Sequence, residues 1–241
     1  MLRKTMILIV IFGLTSLSYA TLFEEHVTDG TLDENWTDIV DGSASWSISS
    51  EQSVSPDYSR KGVNGTASYN GCSIATDLEL PDSYVFSAYV YSITDNPERA
   101  AIWFNVVSTP DADGTNEYEL FLWHGDLLLG KRVNGAWNGL ESKSGVSAYQ
   151  QWRELKVEVS YNGTSTTIVT YLDGQLVTWD SGDTFYTDTG VGSVDPYHGG
   201  TIGIHRNGAG QAYFDDIVVV PEPATIGFVI IGLASLLKRR K

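Results

Sequence analysis

The sequence predicts an all-β fold in which antiparallel strands form two sheets stacked face to face. Three observations carry this. Apolar and polar residues alternate along many short segments, as in Glu154-Leu155-Lys156-Val157-Glu158-Val159, which marks a strand with one solvated face. Asn-Gly pairs at 64–65, 70–71, 134–135, 138–139, 162–163 and 207–208, and Asp-Gly pairs at 29–30, 41–42, 113–114 and 173–174, supply the positive φ angles of tight hairpins. No 3.6-residue apolar period appears between Thr21 and Val220, so helices are not expected there.

The elements follow in order. Residues 43–55 are Ser-rich and read as edge strands and loops. Residues 84–91 and 101–107 read as strands with two apolar faces. Residues 118–123 and 127–133 are separated by His-Gly-Asp, a turn. Tyr161-Asn162-Gly163-Thr164 joins the Leu155 strand to residues 166–172, and Asp173-Gly174 turns that strand into Gln175-Leu176-Val177. Segments 201–205 and 211–219 close the set. Stacked sheets of this kind suit a meander of antiparallel strands.

The two ends read differently. Arg3 and Lys4 precede an apolar run, and Ser18-Tyr19-Ala20 places small residues before a cleavage point, so residues 1–20 are expected to be a secretory signal peptide. At the other end Pro221-Glu222-Pro223 breaks the last strand. Residues 224–237 are uncharged, and Lys238, Arg239, Arg240 and Lys241 follow. Those 14 residues span roughly 21 Å as a helix, short of the ~20 residues of a comfortable span. The tail resembles the PEP-CTERM sorting signal of Gram-negative exported proteins. That resemblance implies an exosortase as partner, cleavage near Pro221-Glu222-Pro223, membrane association through a short C-terminal helix, and delivery to the envelope or extracellular matrix. A plain C-terminal anchor is the alternative. The organisation expected is therefore a signal at 1–20, one domain at 21–219, and a sorting tail at 220–241.

Charge bounds the function. The chain carries 15 Lys and Arg against 30 Asp and Glu. Setting aside Arg3, Lys4, the four terminal cations and Glu222 leaves 9 and 29, a net of −20. A nucleic-acid surface needs clustered cations, so that class is excluded, and neutral polysaccharide suits the domain better than anionic unless divalent cations bridge the two. Cys72 is the single cysteine. No internal disulfide forms, and a domain of this length stands on its core alone.

The ordered motifs resemble concanavalin A-like lectin/glucanase domains. Leu22-Phe23-Glu24-Glu25 with Asp29-Gly30-Thr31-Leu32 and Trp36 looks like their opening strand. Gln151-Trp152-Arg153-Glu154-Leu155-Lys156-Val157-Glu158-Val159 looks like a central strand, and Tyr171-Leu172-Asp173-Gly174 like the hairpin after it. Gly200-Thr201-Ile202-Gly203-Ile204 and Ala212-Tyr213-Phe214-Asp215-Asp216-Ile217 look like the closing pair. The resemblance implies a jelly-roll sandwich and no single activity, because the scaffold hosts lectins, glycosidases, lyases and adhesion modules. It also implies a structural Ca²⁺ between first and last strands, with Glu25, a carbonyl near Gly30, and Asp216 as ligands. Hydrogen bonding of the buried carboxylate of the Asp215-Asp216 pair to amides is the alternative, since a buried charge requires some partner. The segment 111–117 is a further acidic loop, read as a polar hairpin rather than an EF-hand.

Catalysis has one candidate, Glu117-Tyr118-Glu119. Carboxylates two apart share one face of a strand and lie within the range that glycoside hydrolysis uses. The four histidines show no metalloprotease spacing. Ligand binding has a broader one. Trp103, Asn105, Phe121 and Trp123 share a face if their strands are in register, Tyr89 extends it, and Trp137 sits in a turn-rich, exposed segment. Aromatic rings stack on sugar faces, although large sandwiches also use them as core. The expected function is a non-catalytic carbohydrate-binding module at the cell surface. A polysaccharide-active enzyme or a purely structural matrix protein are the alternatives.

Overall fold

The computed structural model describes residues 21–40, 42–64, 70–93, 99–108, 116–146, 149–208 and 210–222. The predicted signal peptide, the apolar tail with Pro223, and most of the acidic loop at 111–117 lie outside them.

Two antiparallel sheets pack face to face, with a single 3₁₀ turn at Val191–Ser193 among the described residues. The first half of the chain forms β1 (Phe23–Glu25), β2 (Trp36–Val40), β3 (Ser45–Ser49), β4 (Ser59–Asn64), β5 (Asn70–Ala75), β6 (Ser83–Ser92), β7 (Arg99–Val106) and β8 (Asn116–Trp123). The second half forms β9 (Asp126–Val133), β10 (Ala136–Lys143), β11 (Trp152–Tyr161), β12 (Thr166–Leu172), β13 (Gln175–Leu176), β14 (Phe185–Asp188), β15 (Thr201–Asn207) and β16 (Gly210–Pro221). One sheet has nine strands in the order β13-β12-β11-β6-β16-β4-β3, with β1 beside β16 and β14 beside β12. The other has seven, β10-β9-β8-β7-β15-β5-β2.

The alternating pattern explains the layering. On β6, Tyr84, Phe86, Ala88 and Val90 are buried between the sheets and their neighbours are half-exposed. On β7 both sets are buried: Ala100, Ile102 and Phe104 join the inter-sheet core, while Ala101 and Trp103 join a second cluster with Cys72, Ile74, Val106 and Phe121. The seven-stranded sheet therefore carries apolar side chains on its outer face as well.

Turn chemistry places the hairpins. Asn134-Gly135 takes φ angles of 50° and 78° between β9 and β10, and Asp173-Gly174 takes 50° and 73° between β12 and β13, the type I′ pattern that matches strand twist. Two other expected turns are strand. Asn70-Gly71 begins β5, and Asn138-Gly139 lies within β10, where the register shifts between Gly139 and Glu141. An Asn-Gly pair permits a turn but does not impose one once neighbouring strands offer pairing.

A buried polar network fixes the sheets to each other. Lys131 of β9 donates from Nζ to Asp188 Oδ2 at 2.8 Å and to the carbonyls of Val194 and Asp195 at 3.0 Å. The Tyr118 hydroxyl donates to the same carboxylate oxygen at 2.6 Å, and the amides of Gly190 and Val191 donate to the other. Asp188 sits on β14 in the nine-stranded sheet, Lys131 and Tyr118 in the seven-stranded one. The closing strand β16 bends at a bulge between Asp215 and Val218, which lets its first half pair with β4 and its second with β1. It ends at Pro221, and the Glu222 amide makes its bond to the Ser83 carbonyl at 3.2 Å.

Candidate functional site

The outer face of the seven-stranded sheet is built by register. Directly opposed residues of antiparallel strands share a face. Trp103 opposes Glu119 and Ala101 opposes Phe121. Glu117 opposes Arg132, Glu119 opposes Gly130, and Phe121 opposes Leu128. Arg132 opposes Trp137. On the other side Ala101 opposes His205, which opposes Cys72.

Two small residues let large ones lean inward. Ala101 has only a methyl group, so the His205 imidazole reaches across β7 and brings Nδ1 to 3.2 Å from Glu119 Oε1. Its ring stacks on Trp103 with centroids 4.3 Å apart. Gly130 has no side chain, so the Trp137 indole lies over it; a Cβ there would come within 1.8 Å of the ring. Trp137 meets the edge of Phe121 at 5.1 Å, and the Arg99 guanidinium covers the Phe121 ring at 4.3 Å. His205 and Trp137 thus converge on Glu119 from opposite edges.

Charges on this face are buried and mutually compensated. Arg132 Nε stands 3.5 Å from Glu117 Oε1 and 3.4 Å from Glu119 Oε2, and Arg99 Nη1 stands 3.6 Å from Glu119 Oε2. Glu117, Glu119 and His205 are fully buried. Burial alone would raise the Glu119 carboxyl, but Arg99, His205 and Arg132 outweigh it and hold it well below the usual carboxylate range. Burial pushes His205 down to about 4 against the pull of Glu119. The imidazole is therefore neutral near pH 7. Its one proton sits on Nδ1, because ionised Glu119 only accepts. Its Nε2 lone pair has no hydrogen-bond partner among the described residues, and neither do Trp103 Nε1 and Arg99 Nε.

Shallow clefts flank this cluster. One of about 400 Å³ is bordered by Leu128, Trp137, Gly139, Glu141, Ser142 and Ser181. Another of about 360 Å³ has Ile39, Ile74 and Val106 with Thr37, Thr76 and Thr201 around it. No charged residue among the described ones borders the second.

The structure sorts the expected ligand residues. Trp103, Phe121, Trp123 and Trp137 lie on this face. Trp103 and Phe121 are buried in it, Trp137 is 36% exposed, and Trp123 is exposed at the strand end, edge-on to His124. Asn105 does not join them. β7 carries an extra residue between the partners of Gly203 and Thr201, and Asn105 takes a φ of 48° there. This turns its side chain inward, where it accepts from the Tyr84 hydroxyl at 3.0 Å and donates to the Gly199 carbonyl at 2.9 Å. Tyr89 lies on β6 in the other sheet, opposite Glu154 and Asp215, so the sandwich separates it from the rest. Glu117 and Glu119 are the carboxylates that the sequence offers as catalytic candidates. His205, Arg99, Arg132 and Gly130 are not among the expected site residues, and their only signal is alternation that places them on the face of Trp103.

The expected calcium ligands are arranged for another purpose. Glu25 is fully buried and accepts four N–H bonds: from the amides of Val27, Asp33 and Glu34 and from Trp36 Nε1, all at 3.1–3.2 Å. Lone pairs facing four donors do not face a cation, so this donor set does not fit Ca²⁺. Asp216 takes a φ of 45° at the bulge and meets His26 Nδ1 at 2.8 Å. Gly30 rests on the ring of Tyr58. Asp215 is the buried member of the pair. It accepts from the amides of Val54 and Ser55 and from the Ser55 hydroxyl. Among the described residues no three His, Cys, Asp or Glu side chains are grouped to hold a metal ion.

Solved structures share this architecture. A Bacillus subtilis protein of unknown function with a galectin-like fold superimposes with a TM-score of 0.61 at 12% identity, over 84% of this chain and 96% of its own. The globular domain of T. cruzi calreticulin gives 0.58 at 14% identity, over 91% and 95%. A carbohydrate-binding module from Bacillus subtilis gives 0.55 at 16% identity, over 78% and 97%. The likeness is one of fold: a jelly-roll sandwich. No family model matches the chain, and no curated protein does either.

Proposed function

We propose that the chain is a non-catalytic carbohydrate-binding module that holds a neutral polysaccharide on the outer face of its seven-stranded sheet. The observation that carries this is Trp137. Its indole lies over Gly130 and is braced by Phe121 and Arg99, yet remains 36% exposed beside an open cleft. A fixed, partly exposed aromatic plane among polar groups suits a sugar ring, which offers an apolar face and a hydroxyl rim. The carbohydrate-binding module that shares the fold supports the reading. Affinity electrophoresis of the full chain in gels containing neutral polysaccharides tests it: retardation of the native protein, abolished in Trp137→Ala, is the expected result. Unchanged mobility of the native protein across neutral gels contradicts it.

The signals at the two ends support export, sorting by an exosortase at Pro221-Glu222-Pro223, and residence in the envelope or extracellular matrix. Intact-mass measurement of protein recovered from a bacterial host carrying an exosortase is the test. A mature species that begins at Thr21 and lacks residues 224–241 is expected.

A glycosidase or lyase is the second reading, and one observation favours it: Arg132 Nε is within 3.5 Å of carboxylates from both Glu117 and Glu119. Glycoside hydrolysis requires one of two carboxyls to be protonated as general acid. Arg99 and Arg132 hold Glu119 ionised, so it does not serve as the general acid. Release of reducing ends or unsaturated products from a polysaccharide panel is the outcome that would establish it.

A further inference from the structure

We propose that Glu141, held by the Ser181 hydroxyl, selects the glycan at the Trp137 cleft: its carboxylate accepts hydroxyl hydrogens of an uncharged sugar and repels a uronate. The proposal rests on the reading of this face as a glycan surface.

Leu128 of β9, Trp137 and Glu141 of β10, and Ser181 from the turn after β13 border one open cleft of about 400 Å³. A bulge shapes it. The register of β10 against β9 shifts between Gly139 and Glu141, so Glu141 opposes Leu129 instead of Leu128, and Leu140 packs against the inter-sheet core. Bulges re-aim the side chains beside them. The turn at 179–183 is pinned to β10 next to this bulge. Trp179 is buried in the inter-sheet core, the Asp180 amide donates to the Ser142 carbonyl at 2.9 Å, and the Asp180 carboxylate accepts from the Ser144 amide and hydroxyl at 2.9 and 2.7 Å. The Ser181 hydroxyl then donates to Glu141 Oε2 at 3.0 Å.

An aromatic plane tolerates many sugars, so discrimination falls to the hydrogen-bonding group beside it. A carboxylate only accepts and has about four lone-pair sites; one bond from Ser181 leaves capacity for hydroxyls of a ligand in the cleft. Being held beforehand, it loses little side-chain freedom on binding. Glu141, Asp180 and Asp183 against Lys143, which stands 3.8 Å from Asp180, make this rim acidic. Arg99 and Arg132, on the Trp137 face, are engaged by Glu119 and Glu117. The rim therefore disfavours anionic sugars and accepts neutral ones.

Titration calorimetry of the full chain with cellohexaose, laminarihexaose, maltohexaose and hexagalacturonate tests this. At least one neutral hexasaccharide is expected to bind and hexagalacturonate is not. With native circular dichroism, Glu141→Ala is expected to weaken neutral binding by about tenfold, the usual worth of one good hydrogen bond to a charged group. Ser181→Ala, which frees the carboxylate, should weaken it by about threefold. Glu141→Lys supplies a cation and is expected to bind hexagalacturonate about tenfold more tightly than the native chain does, a gain that a purely structural Glu141–Ser181 bond does not produce. A measurement on the native protein needs no variant: the backbone amide resonances of Glu141 and Ser181 should move when the neutral sugar is added. Neutral binding that requires Trp137, with the Glu141 and Ser181 variants and those resonances unaffected, overturns the role of Glu141 and leaves the face reading intact. Absence of binding to every neutral hexasaccharide overturns both, and preference of the native chain for hexagalacturonate overturns the charge argument.

Discussion

The indole of Trp137 occupies the space that a side chain on Gly130 would fill, 1.8 Å from where its Cβ would stand. One residue on β9 thus sets the position of a ring on β10. Gly130→Ala is expected to expel the indole and to weaken glycan binding about as much as Trp137→Ala does. In a gel-retardation series both variants should migrate like the protein in plain gel. A Gly130→Ala variant that binds like the native chain shows that the ring's placement does not matter.

His26 should act as a pH-dependent clasp between β1 and the bulge of β16. Its Nδ1 stands 2.8 Å from Asp216 Oδ1 and its Nε2 2.7 Å from Glu24 Oε1. A neutral imidazole has one proton and serves only one carboxylate. The hydrogen bonds to Asp216 first, and then to Glu24, raise its pKa above the ordinary 6.5. A raised pKa in the folded state means that the clasp contributes fully below about 6.5 and loses its contribution as pH rises through the folded value. His26 itself is 36% exposed, so the effect is under about 1 kcal/mol. Urea midpoints of native protein and His26→Gln should differ at pH 5.5 and converge at pH 9. A difference that grows with pH contradicts the assignment.

The Lys131–Asp188 pair should be among the most sensitive positions in the fold. Both side chains are fully buried. Removing one partner of a buried pair costs about 3–5 kcal/mol, because the other charge is left uncompensated. Burial alone would raise the Asp188 carboxyl, but Lys131, Tyr118 and two backbone amides outweigh it and lower it. Its contribution is therefore present above the ordinary carboxylate pKa and is lost as pH falls through the lowered one. Asp188→Ala is expected to shift the denaturant midpoint strongly at pH 7 and less at pH 3. A midpoint change under about 1 kcal/mol at pH 7 would falsify the network's role.

Chelation should leave stability unchanged. Glu25 already accepts four N–H bonds, so EDTA is expected not to lower Tm, and added Ca²⁺ not to raise it. Glu25→Gln should destabilise with or without calcium, since it replaces an acceptor that serves four donors. A calcium-dependent rise in Tm contradicts this account of the opening strand.

Much of the fold was legible because strand period is a local property. The alternation of residues 84–91 and 154–159 reappears as β6 and β11, each with every second residue buried. The weaker strands β2 to β5 carry few consecutive apolar residues, and their pairing is decided by neighbours rather than by their own pattern. The site was legible in part for the same reason. Parity placed Trp103, Phe121 and Trp123 on one face. It failed at Asn105, where one extra residue in β7 reverses the direction of the side chain. The Glu119–His205 contact spans 86 residues of sequence, and nothing local marks it. Alternating carboxylates on β8 read as a solvated face, whereas Arg99 and Arg132 make it a buried one.

Chemical-shift mapping with a neutral hexasaccharide tests the central claim most directly, because each of the seven tryptophans reports through its own indole N–H. The account predicts that the resonance of Trp137 moves, while those of Trp152 on the nine-stranded sheet and Trp179 in the inter-sheet core stay fixed. Movement confined to Trp152 and its neighbours, or no movement at all, would contradict it.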